Sequence, residues 1–594
     1  MKGTLMTDDD LPARDPWWVA QQKVSLDELS AVGEALWWLQ DSLQDRTTRL
    51  MRLAGGTPSP VSPPGFNVGG WLHGYGGGGY AVSGGRTAWL TGGTDSGLYR
   101  LDLAMGALEA VRGGDGFLYG NLRSCPAGLL AVRAGEGGDE IILVDHGGER
   151  IQVLTASAGF LGEPHLKGQE LAFLEWDEDQ APWDGSRLVV ARRRTDGSFE
   201  QGEVVAGGAA ESVTQPVWGP DGGLYYMSDR SGRWNLYLWD GQRHQPVAPI
   251  DRDCAPAPWE AGYRSFAFLS GGRIALTVQH GLSHGLAVAG ADGTTGTVAV
   301  PLTSIKPYLA AVPGGLAVIG SAAARPPAVF GIDLTSGTAK EESPGLSAAG
   351  LQATVGERHQ LPYGDRLQFL LHRPEGGGPF PLIVRAHAGP TDEVRDRLDW
   401  TKEFFVAHGF AVAEVAYRGS AGLGRAFRTS LNGNWGTYDV QDCLTVAGDL
   451  LAGGTALPGA VFLSGSSAGG YTALQGACVP GSPLTAVTAI SAIVDPAGWA
   501  VTAPRFQRPH ARTLVGPAGK VTASRVRVPV LLVHGRDDDV APAADAESLA
   551  CELRARDSRH EGLFFDGVGH YLSAPEPLAE ALAAELAFYR RFLS

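Results

Sequence analysis

The stretch VFLSGSSAGGYTALQGAC, residues 461–478, decides the fold. Val461-Phe462-Leu463 reads as a short buried strand, and Tyr471 to Cys478 has helical composition, so Gly465-Ser466-Ser467-Ala468-Gly469 occupies the turn between them. A serine on a sharp strand-to-helix turn, flanked by small residues because the turn is crowded, has its hydroxyl lifted above the edge of an α/β sheet. Ser467 is therefore the candidate nucleophile. In a chain with 84 glycines among 594 residues such a pattern arises by chance on the order of once, so the strand and helix around it carry the weight.

Outward from this turn the same alternation continues. Pro381 to Val384, Ala411 to Val415 and Val530 to Val533 read as strands, and Trp400 to His408 and Asp439 to Leu451 as helices. Strands that alternate with helical segments build a mostly parallel sheet covered on both faces. A serine hydroxyl needs a base to take its proton, and the base needs an acid to fix its tautomer. In an α/β-hydrolase both follow the serine along the chain. After Val530 to Val533 comes a turn with three consecutive carboxylates, Asp537-Asp538-Asp539, and after Gly562 to Phe565 comes Gly567-Val568-Gly569-His570. His570 is the candidate base and one of the three aspartates the acid. His387 precedes the serine and His534 precedes the acid, so both read as structural. For the oxyanion, the N–H of Ala468 is one expected donor, and the loop His387-Ala388-Gly389-Pro390 after an earlier strand is the natural source of the second.

Before residue 350 the character differs. Short apolar or alternating runs follow glycine turns at Gly33, Gly85, Gly128, Gly168, Gly222, Gly272 and Gly315, spaced 40 to 54 residues apart. A four-stranded propeller blade requires such a period, and seven units predict seven blades. The clearest hairpin is Tyr225 to Ser228 and Asn235 to Leu238 around Asp229-Arg230-Ser231-Gly232. The expected architecture is an N-terminal extension at 1–24, a β-propeller at 25–350 and an α/β-hydrolase domain at 351–594.

Bulk properties narrow the function. The net charge of −16 is spread along the chain and argues against nucleic acid as a partner. No run reaches membrane-spanning length, and Asp8-Asp9-Asp10 with Pro12 interrupt the apolar core a secretory signal would need. Five cysteines without a CxxC pair signal neither a zinc site nor a disulfide framework; they read as buried thiols. A cytoplasmic protein without metal or cofactor is expected.

With these residues in hand, the sequence resembles the prolyl oligopeptidase family, and most of all its acylaminoacyl-peptidase and dipeptidyl-aminopeptidase branch. The resemblance rests on Pro381 to Thr391, Tyr417 to Arg428, Asn434-Trp435-Gly436, Asp439 to Asp442, the serine turn with Gly470-Tyr471, and the aspartate and histidine loops. In the propeller it rests on His73 to Gly78, Trp176-Asp177 and Pro182 to Gly185. It implies that Asp538 is the acid, that Gly389 supplies the second oxyanion N–H, and that short peptides are the substrates. A homo-oligomer is expected only by this resemblance. Three positions depart from the family pattern: Ala388 for a glycine, Val540 for an arginine that holds a substrate carbonyl, and Gly74 for a propeller glutamate. Endo- or exopeptidase preference is therefore not carried over. Tyr471, next to the nucleophile in sequence, is a candidate wall of the substrate pocket. The rival reading is an esterase with the same triad.

Overall fold

The computed structural model describes residues 12–42, 44–343, 353–362, 367–557 and 559–593. The expected boundary between residues 350 and 351, and residues 1–11 of the expected extension, lie outside the described residues.

Seven antiparallel sheets follow one another along the first half of the chain, the first six with four strands and the last with five, and all made of consecutive strands. The seven glycines singled out above fall one to each sheet, at the turn between its inner strands. Six of them have positive φ, from 58° to 139°, where a side chain would be strained. The seventh, Gly315, leaves that role to Gly314 at φ 83°. The predicted hairpin is present, with Ser228 opposite Asn235 and Leu224 opposite Trp239. Burial falls from the second strands outward: all of Leu224–Ser228 is buried, while the outer strand Leu108–Arg112 faces solvent. Among the described residues no strand is shared between the first and last sheets, which meet through apolar packing and the Lys306–Asp27 ion pair. Leu26, Leu29 and Trp38 of the first sheet pack on Tyr308, Ala317 and Ile319 of the last. Five tryptophans, Trp37, Trp38, Trp89, Trp183 and Trp234, are fully buried within this half.

The second half is one eight-stranded sheet. Its strands are β1 Glu357–Gln360, β2 Gln368–His372, β3 Phe380–Ala386, β4 Ala411–Ala416, β5 Ala456–Ser466, β6 Ala486–Ile490, β7 Val530–Gly535 and β8 Glu561–Phe565. They lie in the order β1-β2-β4-β3-β5-β6-β7-β8. The pairs from β4 to β8 are parallel, and β1 and β2 are antiparallel. All six residues of β7 are buried, as a central parallel strand covered on both faces requires. The helices are α1 Pro16–Gln21, α2 Trp400–Ala407, α3 Arg425–Thr429, α4 Tyr438–Ala452, α5 Ala468–Gly476, α6 Pro496–Thr502, α7 Arg508–Leu514, α8 Ala543–Arg556 and α9 Pro575–Arg590.

Helix α1 belongs with this half although it precedes the propeller. Asp15 caps it, Val19 and Ala20 join the cluster of Phe404, Leu578 and Tyr589, and Trp18 meets Trp400 edge-on at 5.1 Å. The chain thus leaves the hydrolase domain, builds the propeller and returns. The expectation of buried thiols needs correction: Cys254 and Cys443 are buried, Cys125 and Cys478 half-buried, and Cys551 is exposed on α8. Among the described residues no helix is long and apolar enough to cross a membrane.

The halves meet through buried charge. Asp229 of the fifth blade accepts from Arg425 and Arg428 of α3 at 2.6 Å each, and both Asp229 and Arg428 are buried. Guanidiniums of this kind suit such a site because their planar fork stays charged and can serve several acceptors at once.

Candidate active site

Strand β5 ends at Ser466 and α5 begins at Ala468, which leaves Ser467 alone on the turn at φ 53°, ψ −116°. That backbone is sparsely populated for a residue with a Cβ and is held only because its surroundings over-determine it. The Ser467 N–H donates to Ile490 O at 2.8 Å. A Cβ at Gly465 would lie 2.2 Å from Gly469 O, and one at Gly469 would lie 2.3 Å from Ala386 O and 2.6 Å from His387 O. Only glycine fits either place. Because Ala386 pairs with Gly465 across β3 and β5, the loop after β3 and the serine turn leave the same edge of the sheet side by side, at the point where the strand order reverses.

His570 and Asp538 arrive on the loops after β8 and β7. His570 Nε2 lies 3.0 Å from Ser467 Oγ, and its Nδ1 lies 2.8 Å from Asp538 Oδ2. The other carboxylate oxygen accepts the N–H groups of Val540 and Ala541 at 2.9 and 2.8 Å. Burial would raise the pKa of Asp538, but hydrogen bonds from His534 and His570, with the Ala541 N–H, hold its carboxyl well below the usual range. Asp537 and Asp539 are exposed and line the cavity between the domains. His534 is buried, with Nε2 3.0 Å from both Asp538 Oδ2 and Ala541 O, so it helps to orient the acid.

The loop that carries Gly389 is held from below. His387 stacks on Tyr417 at 4.1 Å, its Nε2 lies 2.7 Å from Ser420 Oγ, and Tyr417 donates to His387 O at 3.0 Å. Gly389 has φ 66°, so the freedom the loop needs is at this residue, and Ala388 carries no positive φ. From the propeller, Trp259 donates to Thr391 O at 3.0 Å and packs against Gly389. Tyr471 requires a correction. It is fully buried, donates to Gly519 O at 2.8 Å and packs on Trp435 at 4.5 Å, so it belongs to the core and not to a pocket wall.

The pocket is built by residues that sequence reasoning passed over. Arg505-Phe506-Gln507, between α6 and α7, reaches into the propeller. Phe506 packs among His73, Phe160, Trp176 and Trp183. Arg505 pairs with buried Asp139 at 2.8 Å and with Glu178 at 2.7 Å, and it donates to the carbonyls of Ala158 and Gly159. Asp139 also meets His73 at 2.6 Å. Beside this hook a cavity of about 770 Å³ opens between the domains, lined by Trp71, Leu118, Phe160, Val540, His570 and Tyr571 among others. No motif marks residues 504–507, because their partners lie more than 300 positions away in sequence.

A serine on a strained strand-to-helix turn, aligned with a histidine and a buried carboxylate under a propeller, is the arrangement expected of a nucleophile site on the α/β-hydrolase fold. The sequence model of the prolyl oligopeptidase family matches residues 396–594. The chain is 26% identical over 234 residues to acylamino-acid-releasing enzyme 2 of Oryza sativa subsp. japonica, covering 36% of this chain and 30% of that protein. It is 24% identical over 218 residues to dipeptidyl aminopeptidase BIII of Pseudoxanthomonas mexicana, covering 33% and 31%. These matches span about a third of the length of the curated relatives. The solved structure of a Mycobacterium tuberculosis puromycin-hydrolyzing peptidase superimposes over 98% of this chain and 96% of its own, with a TM-score of 0.91 at 26% identity.

Proposed function

We propose that the protein is a serine peptidase that hydrolyses short peptides through an acyl-enzyme on Ser467. Ser467 Oγ attacks the scissile carbonyl carbon as its proton passes to His570 Nε2, and Asp538 holds the tautomer that leaves Nε2 free to accept it. The N–H groups of Ala468 and Gly389 receive the oxyanion. The C–N bond then breaks, His570 returns the proton to the leaving amine, and water repeats the sequence on the ester. The observation that carries this reading is the line Asp538–His570–Ser467 at 2.8 and 3.0 Å beneath the propeller. The relatives named above, by name an acylamino-acid-releasing enzyme, a dipeptidyl aminopeptidase and a puromycin-hydrolyzing peptidase, support peptide-like substrates. A propeller clamped over the site by Arg425, Arg428 and Arg505 supports a limit on substrate size. The test is cleavage of a library of short peptides, free and N-acetylated, by wild type and Ser467→Ala, with products read by mass spectrometry. Defined fragments from wild type alone are expected; simple acyl esters cleaved without any peptide would favour the esterase reading.

A further inference from the structure

The loop that presents Gly389 is anchored by the hydrolase at its two ends. His387 O accepts from Tyr417 at 3.0 Å, and Asp392 O accepts the Ala421 N–H at 2.9 Å. Between these anchors the carbonyls of Ala388 and Gly389 turn back on His387 Nδ1, at 3.1 Å each. The Thr391 carbonyl reaches outside the loop and accepts the indole N–H of Trp259 at 3.0 Å. The same ring lies 3.6 Å from where a Cβ on Gly389 would stand. Among the described residues neither Gly389 nor Ala468 donates its backbone N–H to another protein group, as two oxyanion donors require.

Trp259 belongs to the propeller, on a strap of residues 253–264 that joins the fifth blade to the sixth. Asp253 accepts the N–H of Trp234 from the fifth blade and that of Gly424 from the hydrolase, both at 2.8 Å. Further along, Ala261 N–H donates to Gly76 O at 3.0 Å, just ahead of the second blade, and Gly262 N–H to Glu163 Oε1 of the fourth at 2.6 Å. Arg264 exchanges backbone bonds with Pro307 and Leu309 of the seventh at 2.6 and 2.8 Å. The second, fourth and seventh blades are not neighbours in the ring, so a strap bonded to all three spans its axis. The glycine run singled out in the sequence is its seat. Gly77 bridges Ala261 at φ 96°, and a Cβ there would lie 2.3 Å from Ala261 O. Tyr75 meets the Trp259 ring edge-on at 5.1 Å, and Trp183 packs on it at 4.1 Å.

We infer that Trp259 is a positioning residue for the oxyanion site. The strap fixes the indole to the propeller, the indole fixes the Thr391 carbonyl and the face of Gly389, and the second oxyanion N–H is in register only while the two domains are docked. Resting on the oxyanion role proposed for Gly389, this assignment gives the propeller a part in the chemical step as well as in the admission of substrate. Displacing an aligned group by about 1 Å costs on the order of 10²-fold in rate, so one bond in the middle of the loop is enough to matter.

Three variants test it, assayed on a p-nitrophenyl ester and on peptides, with thermal unfolding to show an intact fold. Trp259→Phe keeps a ring against Gly389 and loses the indole N–H, Trp259→Ala loses both, and Gly77→Ala unseats the strap. Expected losses in kcat are about 10-fold for Trp259→Phe and Gly77→Ala and about 100-fold for Trp259→Ala, with KM within about threefold of wild type. The discriminating readout is a peptide trifluoromethyl ketone labelled with carbon-13 at its carbonyl. Ser467 Oγ adds to that carbon, the serine proton passes to His570, and the carbonyl oxygen becomes the oxyanion. The carbon-13 shift follows the protonation of that oxygen, and its pKa should rise by about one unit for each tenfold lost in kcat. Wild-type kcat in a folded Trp259→Ala overturns the inference. So does a raised KM with kcat and adduct unchanged, which would make Trp259 a wall of the substrate site. If Trp259→Ala does not fold, Trp259→Phe and Gly77→Ala decide. Ester hydrolysis that depends on Trp259 without any peptide cleavage upholds the positioning and sinks the peptidase reading instead.

Discussion

Replacement of Asp538 by Asn tests the proposed relay most directly, because it changes almost no volume. One oxygen of Asp538 takes two backbone N–H groups, from Val540 and Ala541, at 2.9 and 2.8 Å. In the variant the amide oxygen must keep that place, since an NH₂ group there would face two donors. The amide nitrogen then occupies the position that now lies 2.8 Å from His570 Nδ1 and 3.0 Å from His534 Nε2. To meet a donor, His570 must present a bare Nδ1, which puts its proton on Nε2, opposite Ser467 Oγ. A base in that tautomer cannot accept the serine proton. The loss expected in kcat is about 10⁴-fold at neutral pH, the size found when a relay aspartate is amidated in other serine hydrolases. That corresponds to roughly 5.5 kcal/mol in the barrier. The assay is the rate of fluorophosphonate labelling and of peptide cleavage, beside circular dichroism and thermal unfolding to show an intact fold. A folded variant within tenfold of wild type would refute the reasoning.

Three further outcomes follow from the geometry. Gly469→Ala forces a Cβ to within 2.3 Å of Ala386 O, so it should cost about 1–3 kcal/mol and slow labelling of Ser467; wild-type labelling and unfolding would show that the turn is not crowded. Asp229→Ala leaves Arg425 and Arg428 facing each other without their shared carboxylate, and the loss should be about 3–5 kcal/mol, read as easier denaturant unfolding and as proteolytic separation of the two domains. Burial pushes the Glu28 carboxyl up from 4.5 to about 8, so the folded state holds a proton that the unfolded state has released between those values. Stability from this group is thus present at low pH and lost as pH rises toward 8, and Glu28→Gln should unfold later than wild type at pH 9 while matching it near pH 4; equal curves at both pH values would count against this assignment.

Much of this was readable from local chemistry. Six of the seven glycines mark a blade's turn because a left-handed backbone excludes a Cβ, and Gly315 stands next to Gly314, which takes that role in the last blade. The serine turn was readable for the same reason, since Gly465 and Gly469 are dictated by contacts of under 2.5 Å around Ser467. The order of Ser467, the aspartate loop and His570 along the chain follows from the strand order of the sheet, but residue types alone left three aspartates equal. Tyr471 shows the limit of nearness in sequence. Its position on α5, four residues after Ser467, turns it toward Trp435 and Gly519 in the core.

The sequence by itself determined the two architectures and the residue types at the serine, aspartate and histidine loops, because turn geometry and hydrophobic period are local properties. Only the tertiary structure decided what surrounds them. That Asp538 and not its neighbours faces His570, that α1 packs on the hydrolase, and that Arg505-Phe506-Gln507 hooks into the propeller all depend on contacts between segments far apart in the chain. The same holds for Trp71 and Leu118, which reach the histidine's cavity from the other domain. No periodicity records such meetings, since they are settled by how two finished domains pack against each other.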